Sequence, residues 1–84
     1  MHYGTMIDHE SATPVYRQVA AILKERIEAG TYQPGRRLPS VRDLTQEFGI
    51  AQLTARKALR VLVDDGQAEM SPGMGTFVTG QPQG

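Results

Sequence analysis

The sequence predicts a mainly α-helical domain closed by a small β-hairpin, in the order helix, helix, helix, hairpin. Three observations predict it. Apolar residues recur at helical spacing in three separate runs, and a glycine (Gly30, Gly49, Gly66) stands at the end of each. After Gly66 the pattern changes to two short segments with β-branched and aromatic content, bridged by the loop Pro72-Gly73-Met74-Gly75.

The elements follow in order. Residues 1–12 are polar and without periodicity, so a flexible N-terminal arm is expected there, then a folded domain over 13–79 and a polar tail over 80–84. Thr13 offers an N-cap, with Pro14 at the first helical position, where a missing N–H is harmless. Val15, Val19, Ile22, Leu23 and Ile27 form the apolar stripe of this first helix, and Gly30 supplies a left-handed end. Pro34-Gly35 and Pro39 mark a turn-rich connection with a short extended piece at Arg36 to Leu38. Ser40 caps a second, short helix, with Asp43 in the place of the capping-box acid and Val41, Leu44 and Phe48 on its apolar side. A third helix is expected from Gln52 to Asp65. Strands at Gln67–Ser71 and Thr76–Thr79 then form the hairpin, which in the plainest reading only completes the core through Met70, Phe77 and Val78.

Eighty-four residues suit one small domain, and the absence of cysteine removes disulfides and zinc–thiolate sites. No apolar run approaches the ~18 residues of a membrane span and no signal-peptide pattern opens the chain, so no membrane is expected as a partner and the cytoplasm is the expected compartment. Net charge is zero, which by itself argues against a nucleic-acid partner. The distribution argues the other way. All nine basic residues lie between Arg17 and Arg60. The stretch from Arg36 to Arg60 holds six (Arg36, Arg37, Arg42, Arg56, Lys57, Arg60) against Asp43 and Glu47, a local net charge of +4. A local field of one sign steers a polyanion even when the total is neutral.

A short helix, a tight turn at Gly49-Ile50 and a longer helix form a helix-turn-helix, whose second helix docks in the major groove of DNA. At about 100° per residue, Ala51, Ala55, Ala58, Leu59 and Leu62 share the inward face of that second helix. Gln52, Leu53, Arg56, Lys57 and Arg60 share the outward one. Arginine donates two parallel hydrogen bonds to guanine, and glutamine pairs in the same two-point way with adenine. Gln52 and Arg56 are therefore base-contact candidates. Lys57 and Arg60, with the pair Arg36-Arg37, are candidates for the DNA backbone. Leu53 either meets a thymine methyl group or packs under the hairpin; the spacing leaves both open. The plain alternative for the whole face is an ordinary solvated helix surface. In a winged helix-turn-helix the hairpin loop reaches the minor groove, and Gly73 and Gly75 would let the backbone approach phosphates closely. Met74 and Pro72 add no charge there.

Five segments in order carry a family resemblance: Pro14-Val15-Tyr16-Arg17-Gln18-Val19, Gly30-Thr31-Tyr32-Gln33-Pro34-Gly35, Leu38-Pro39-Ser40-Val41-Arg42-Asp43-Leu44, Thr54-Ala55-Arg56-Lys57-Ala58-Leu59 and Gly73-Met74-Gly75-Thr76-Phe77-Val78. Together they resemble the N-terminal winged helix-turn-helix domain of GntR-family transcriptional regulators. The resemblance implies a homodimer on a palindromic operator in double-stranded DNA, in a regulator that represses. It implies base contacts from Arg42 and Arg56, phosphate contacts from Ser40 and Thr54, and a wing contact through Gly73. The chain departs from the family pattern in several places. Ala51-Gln52 stand where serine and arginine are usual, Val41 where glutamate is usual, and Gln67-Ala68 where an apolar pair is usual. The first change removes an N-cap worth ~1 kcal/mol and a guanine reader. The last implies a less buried first wing strand. Regulators of this family normally continue into an effector-binding, dimerising domain. This chain is expected to be either a shortened piece of such a regulator or a natural short one, with no small-molecule effector pocket of its own.

No enzyme and no cofactor are expected. His2 and His9 fall in the arm, Asp64-Asp65 is a helix-end pair, Glu25 and Glu28 form a solvated face, and Ser71 and Thr76 have no histidine in a known motif. The rival reading is a winged helix that binds another protein without touching DNA, favoured by the neutral total charge and the uncharged wing.

Overall fold

The computed structural model describes residues 7–80. Within them lie α1 (Val15–Glu28), α2 (Val41–Phe48), α3 (Gln52–Asp64) and an antiparallel hairpin of β1 (Ala68–Ser71) and β2 (Gly75–Val78). The element order matches the sequence-based expectation. One core joins them: Val19, Ala20 and Leu23 from α1, Leu44 and Phe48 from α2, Ala55, Ala58, Leu59 and Leu62 from α3, with Leu38, Ala68 and Val78 closing it. The largest fully buried side chains, Val19, Leu23, Leu44 and Leu62, are each worth about 1.5–3 kcal/mol over the exposed state.

The helix ends show why the glycines matter. After α1, the Thr31 N–H reaches the Arg26 carbonyl (2.8 Å) and the Gly30 N–H the Ile27 carbonyl (3.1 Å). This double closure requires the left-handed backbone of Gly30, at φ +86°. The same pair of bonds, from Gln67 and Gly66, ends α3. The start of α1 corrects the sequence reading by one residue: Pro14, not Thr13, holds the cap position, and no side chain caps it. The Thr13 carbonyl is instead occupied by Gln18 Nε2 at 2.8 Å.

That same carboxamide orders much of what was expected to be arm. Gln18 Oε1 accepts from the Asp8 N–H and its Nε2 donates to the Asp8 carbonyl, both at 2.8 Å, while Ile7 packs half-buried against the core. Residues 7–12 are thus a turn docked on α1; residues 1–6, with His2, and residues 81–84 of the tail lie outside the described residues.

In α2 the capping box forms as expected. Ser40 Oγ accepts from the Asp43 N–H (3.1 Å), and Asp43 Oδ2 accepts from the Ser40 N–H (3.0 Å). Gly49, at φ +65°, ends the helix. Ala51, expected to face inward with the α3 core residues, is instead exposed at that helix's cap position and provides no side-chain cap. It precedes the first helical turn, where the chain is still extended.

The hairpin departs from expectation in its loop. Ser71 to Met74 form the tight turn, with the Met74 N–H on the Ser71 carbonyl at 2.9 Å. Pro72 presets the second position, and Gly73, at φ +78°, takes the third as a type II turn demands. Gly75 is not loop: it pairs with Ser71 as the first residue of β2. Ala68, expected to be poorly buried, enters the core, whereas Glu69 and Met70 stay exposed. The extended piece at Arg36 to Leu38 runs antiparallel along the free edge of β2, tied by Leu38 N–H to Thr76 O (2.7 Å) and Val78 N–H to Arg36 O (2.8 Å). It covers that edge and fixes the hairpin to the segment leading into α2.

Both joints can be probed by substitution. The Ser40 N–H, then its hydroxyl, hold the Asp43 carboxyl below its ordinary value. A depressed folded value means the stabilisation is present at neutral pH and is lost as pH falls through the carboxylate range. Ser40→Ala is expected to cost about 1 kcal/mol and to flatten the acid dependence of stability, checked by urea unfolding at neutral and acid pH; an unchanged acid dependence would contradict this. A Cβ at Gly75 would sit 2.9 Å from Arg37 Nε, and Gly75 has φ +125°. Gly75→Ala is therefore expected to destabilise by more than about 1 kcal/mol. The loss should shrink in an Arg37→Ala background, measured as a double-mutant cycle; strictly additive losses would mean that Arg37 does not rest there.

Candidate nucleic-acid interface

The inward face of α3 decides what its outward face presents. Ala55, Ala58, Leu59 and Leu62 recur at i, i+3, i+4 and i+7 and are buried against α1 and α2. Gln52, Leu53, Arg56, Lys57 and Arg60 are all exposed on the other side. Leu53 is 61% exposed, so the alternative that packs it under the hairpin is excluded. Thr54, half-buried, lies at the margin between the two faces.

Ser40 and Arg42 mark the start of α2, whose first residue, Val41, lines a groove together with Arg56. Ser40 is half-buried and its oxygen holds the Asp43 N–H. Arg42 is exposed at the second position of the helix. Neither Arg42 nor Arg56 joins the salt bridges found among the described residues, which are Arg26–Glu47 and Arg60–Asp64 (3.1 Å). Both guanidiniums are therefore available to an anionic or hydrogen-bonding partner.

On the other flank of α3 stands the hairpin. Between them runs a groove of about 650 Å³, with Arg56, Lys57 and Arg60 on the helix side and Met70, Pro72 and Met74 on the hairpin side. Met70 and Met74 are 58% and 62% exposed. Its walls are the outward row and the wing themselves, so this groove is part of the same surface.

The wing residues separate in role. Gly73 and Met74 sit exposed at the tip, but the Met74 N–H is already taken by the turn. Gly75, expected to admit a phosphate, instead admits a side chain of the chain itself. Arg37 lies across it, with Nε, Cζ and Cδ all within 3.6 Å of where a Cβ would stand. Arg37 also lowers the Asp43 carboxyl electrostatically, after the two Ser40 hydrogen bonds, so its charge spans from wing to α2. Arg36 is exposed, with its backbone engaged to Gln33 and Val78.

Several contacts were not legible from spacing. Arg26 pairs with Glu47 across α1 and α2, donates to Tyr32 Oη (2.8 Å) and lies 5.7 Å from the centroid of the Phe48 ring. The Glu47 hydrogen bond outweighs burial and holds the guanidinium proton more firmly than usual. The two acids counted against the basic stretch are thus both engaged, Asp43 in a cap and Glu47 with Arg26. Lys57, exposed on the outward face as expected, also has its ammonium over the Tyr16 ring of α1, 5.6 Å from the centroid. Among the described residues no group of three or more histidine and acidic side chains is placed to hold a metal, and no helix is long and apolar enough to cross a membrane.

Comparison with known proteins agrees with this architecture. The family described as bacterial regulatory proteins, gntR family, matches residues 15–78. The chain is 41% identical over 73 residues to the HTH-type transcriptional repressor NagR of Bacillus subtilis, covering 87% of this chain and 30% of that protein. It thus spans under a third of that relative's length. Among solved structures it is similar to YtrA from Sulfolobus acidocaldarius, a GntR-family transcription factor, with TM-score 0.81 and 38% identity over 92% of this chain and 81% of that one. It is also similar to the AraR DNA-binding domain solved in complex with operator ORR3, with TM-score 0.78 and 32% identity over 92% and 93% of the two chains. With the helix-turn-helix and hairpin in place and the match running from the first helix to the last strand, the chain belongs to the gntR family of bacterial regulatory proteins.

Proposed function

We propose that this chain is the sequence-specific DNA-binding domain of a transcriptional repressor, and that it works by binding rather than by catalysis. In this reading α3 enters the major groove, and Arg42, Gln52, Leu53 and Arg56 face base edges. Ser40, Thr54, Lys57, Arg60 and Arg36 face the sugar–phosphate backbone. The hairpin tip at Gly73 and Met74 lies at the minor groove, while Arg37 acts from the base of the wing. The protein binds a palindromic operator as a homodimer, in the cytoplasm, with effector sensing left to other parts of the regulator. One observation carries the proposal: the exposed row Gln52–Arg56–Arg60, flanked by the hairpin, with Arg42 exposed at the start of α2 and in no salt bridge among the described residues. The relatives named as repressors and the operator complex of the AraR domain support it.

The direct experiment is titration of random duplex DNA at several salt concentrations. Displaced counterions make the affinity fall with salt, at a slope near −0.9 per phosphate neutralised. A flat or absent response would favour the protein-binding alternative. On a site selected from a random pool, Arg56→Ala is expected to cost about 1–3 kcal/mol and to relax preference at one base pair; equal binding by both forms would remove Arg56 from base reading. Gln52→Arg is expected to move the preferred base opposite it towards guanine, and identical selected consensus sequences would show that Gln52 reads nothing.

A further inference from the structure

The wing tip, Pro72 to Met74, carries no cation, and on the hairpin side of α3 the charge comes from Arg56, Lys57 and Arg60 along the groove. A further group of cations lies on the α1 side. Tyr16, half-buried in the first turn of α1, has two cations over its ring: Arg17, with Cζ 5.5 Å from the centroid, and Lys57 of α3, with Nζ at 5.6 Å. Neither forms a salt bridge among the described residues. Arg60 lines the same hollow, with Asp64 as its partner at 3.1 Å. Asp65 borders Arg17 on its far side without bridging to it. Within the hollow, three cations face one carboxylate. The ring attracts each cation, but Arg17 and Lys57 repel one another, and no carboxylate of the described residues stands at salt-bridge distance from either.

We infer that Tyr16, Arg17, Lys57 and Arg60 form a second phosphodiester-binding site, which holds the duplex backbone beyond the base pairs read by α3. This rests on the DNA-binding reading above and adds α1 to the interface. Continuity is the main support. Lys57 and Arg60 line both this hollow and the groove between α3 and the hairpin. A duplex seated against α3 therefore has backbone passing those two side chains, and the hollow lies directly behind them. The Tyr16 hydroxyl, which has no hydrogen-bond partner among the described side-chain bonds, can donate to a phosphate oxygen. Its ring holds both cations in place for the same anion.

The test is a salt series on a random-sequence duplex of about three helical turns (about 30 base pairs), using the full chain. Arg17→Gln is expected to make the slope of log affinity against log salt shallower by about 0.9, the share of one phosphate. Tyr16→Leu should do the same by releasing the cations, and Arg17→Lys should restore the slope. The slope counts phosphates neutralised and is insensitive to a fixed unfolded fraction, so simple destabilisation does not mimic the result. A parental slope in both Arg17→Gln and Tyr16→Leu overturns the inference and leaves the DNA-binding reading standing. Salt-insensitive or absent binding by the unaltered chain overturns both.

Discussion

How closely α3 can approach the helices beneath it governs everything on its outer side. Ala55 and Ala58, fully buried, put only methyl groups between the α3 backbone and its neighbours, while Leu59 and Leu62 fill the space on either side. Packed interiors tolerate little change in volume, so the rotation of α3 about its own axis is fixed by this face. Rotation fixed inside is rotation fixed outside: Gln52, Leu53, Arg56 and Arg60 project where they do because Ala55, Ala58 and Leu62 cannot project elsewhere. The left-handed Gly49 then sets α2 against α3 within a short turn.

Zero net charge would suit an inert surface, yet the charges are not evenly matched where they stand. Asp43 is bound into the α2 cap, Glu47 to Arg26 and Asp64 to Arg60. Each of these acids has a local partner, whereas Arg42, Arg56, Arg17 and Lys57 have no carboxylate at salt-bridge distance among the described residues. Whole-chain charge averages over faces and over acids already engaged locally. What an approaching polyanion meets is the remainder, and on the α3 side that remainder is positive.

Much of this was legible in the sequence because it depends on local chemistry. The glycine ends, the Ser40–Asp43 cap, the apolar faces and the outward row of α3 all follow from periods of three to four residues, and the helix-turn-helix with its hairpin follows from their order. What was not legible depends on residues far apart in the chain. Gln18 docking the segment at Asp8, Arg26 reaching Glu47, Lys57 resting on Tyr16 and Arg37 lying over Gly75 have no signature in spacing. Gly75 is the instructive case: its missing side chain signals a close approach, but not whether a ligand or another part of the chain makes it. Pro14 shows a smaller miss: Thr13 was read as the cap, but Pro14 holds that position and the Thr13 carbonyl accepts from Gln18.

Amide chemical-shift mapping of the isotope-labelled chain during titration with duplex tests most directly whether one face, built from the start of α2, the outer side of α3 and the hairpin tip, meets DNA. Perturbations are expected to concentrate at Ser40 to Arg42, Gln52 to Arg60 and Gly73 to Met74, while Glu25 and Glu28 on α1 stay unmoved. Shifts confined to the acidic side of α1, or none along α3 at saturating duplex, would contradict it.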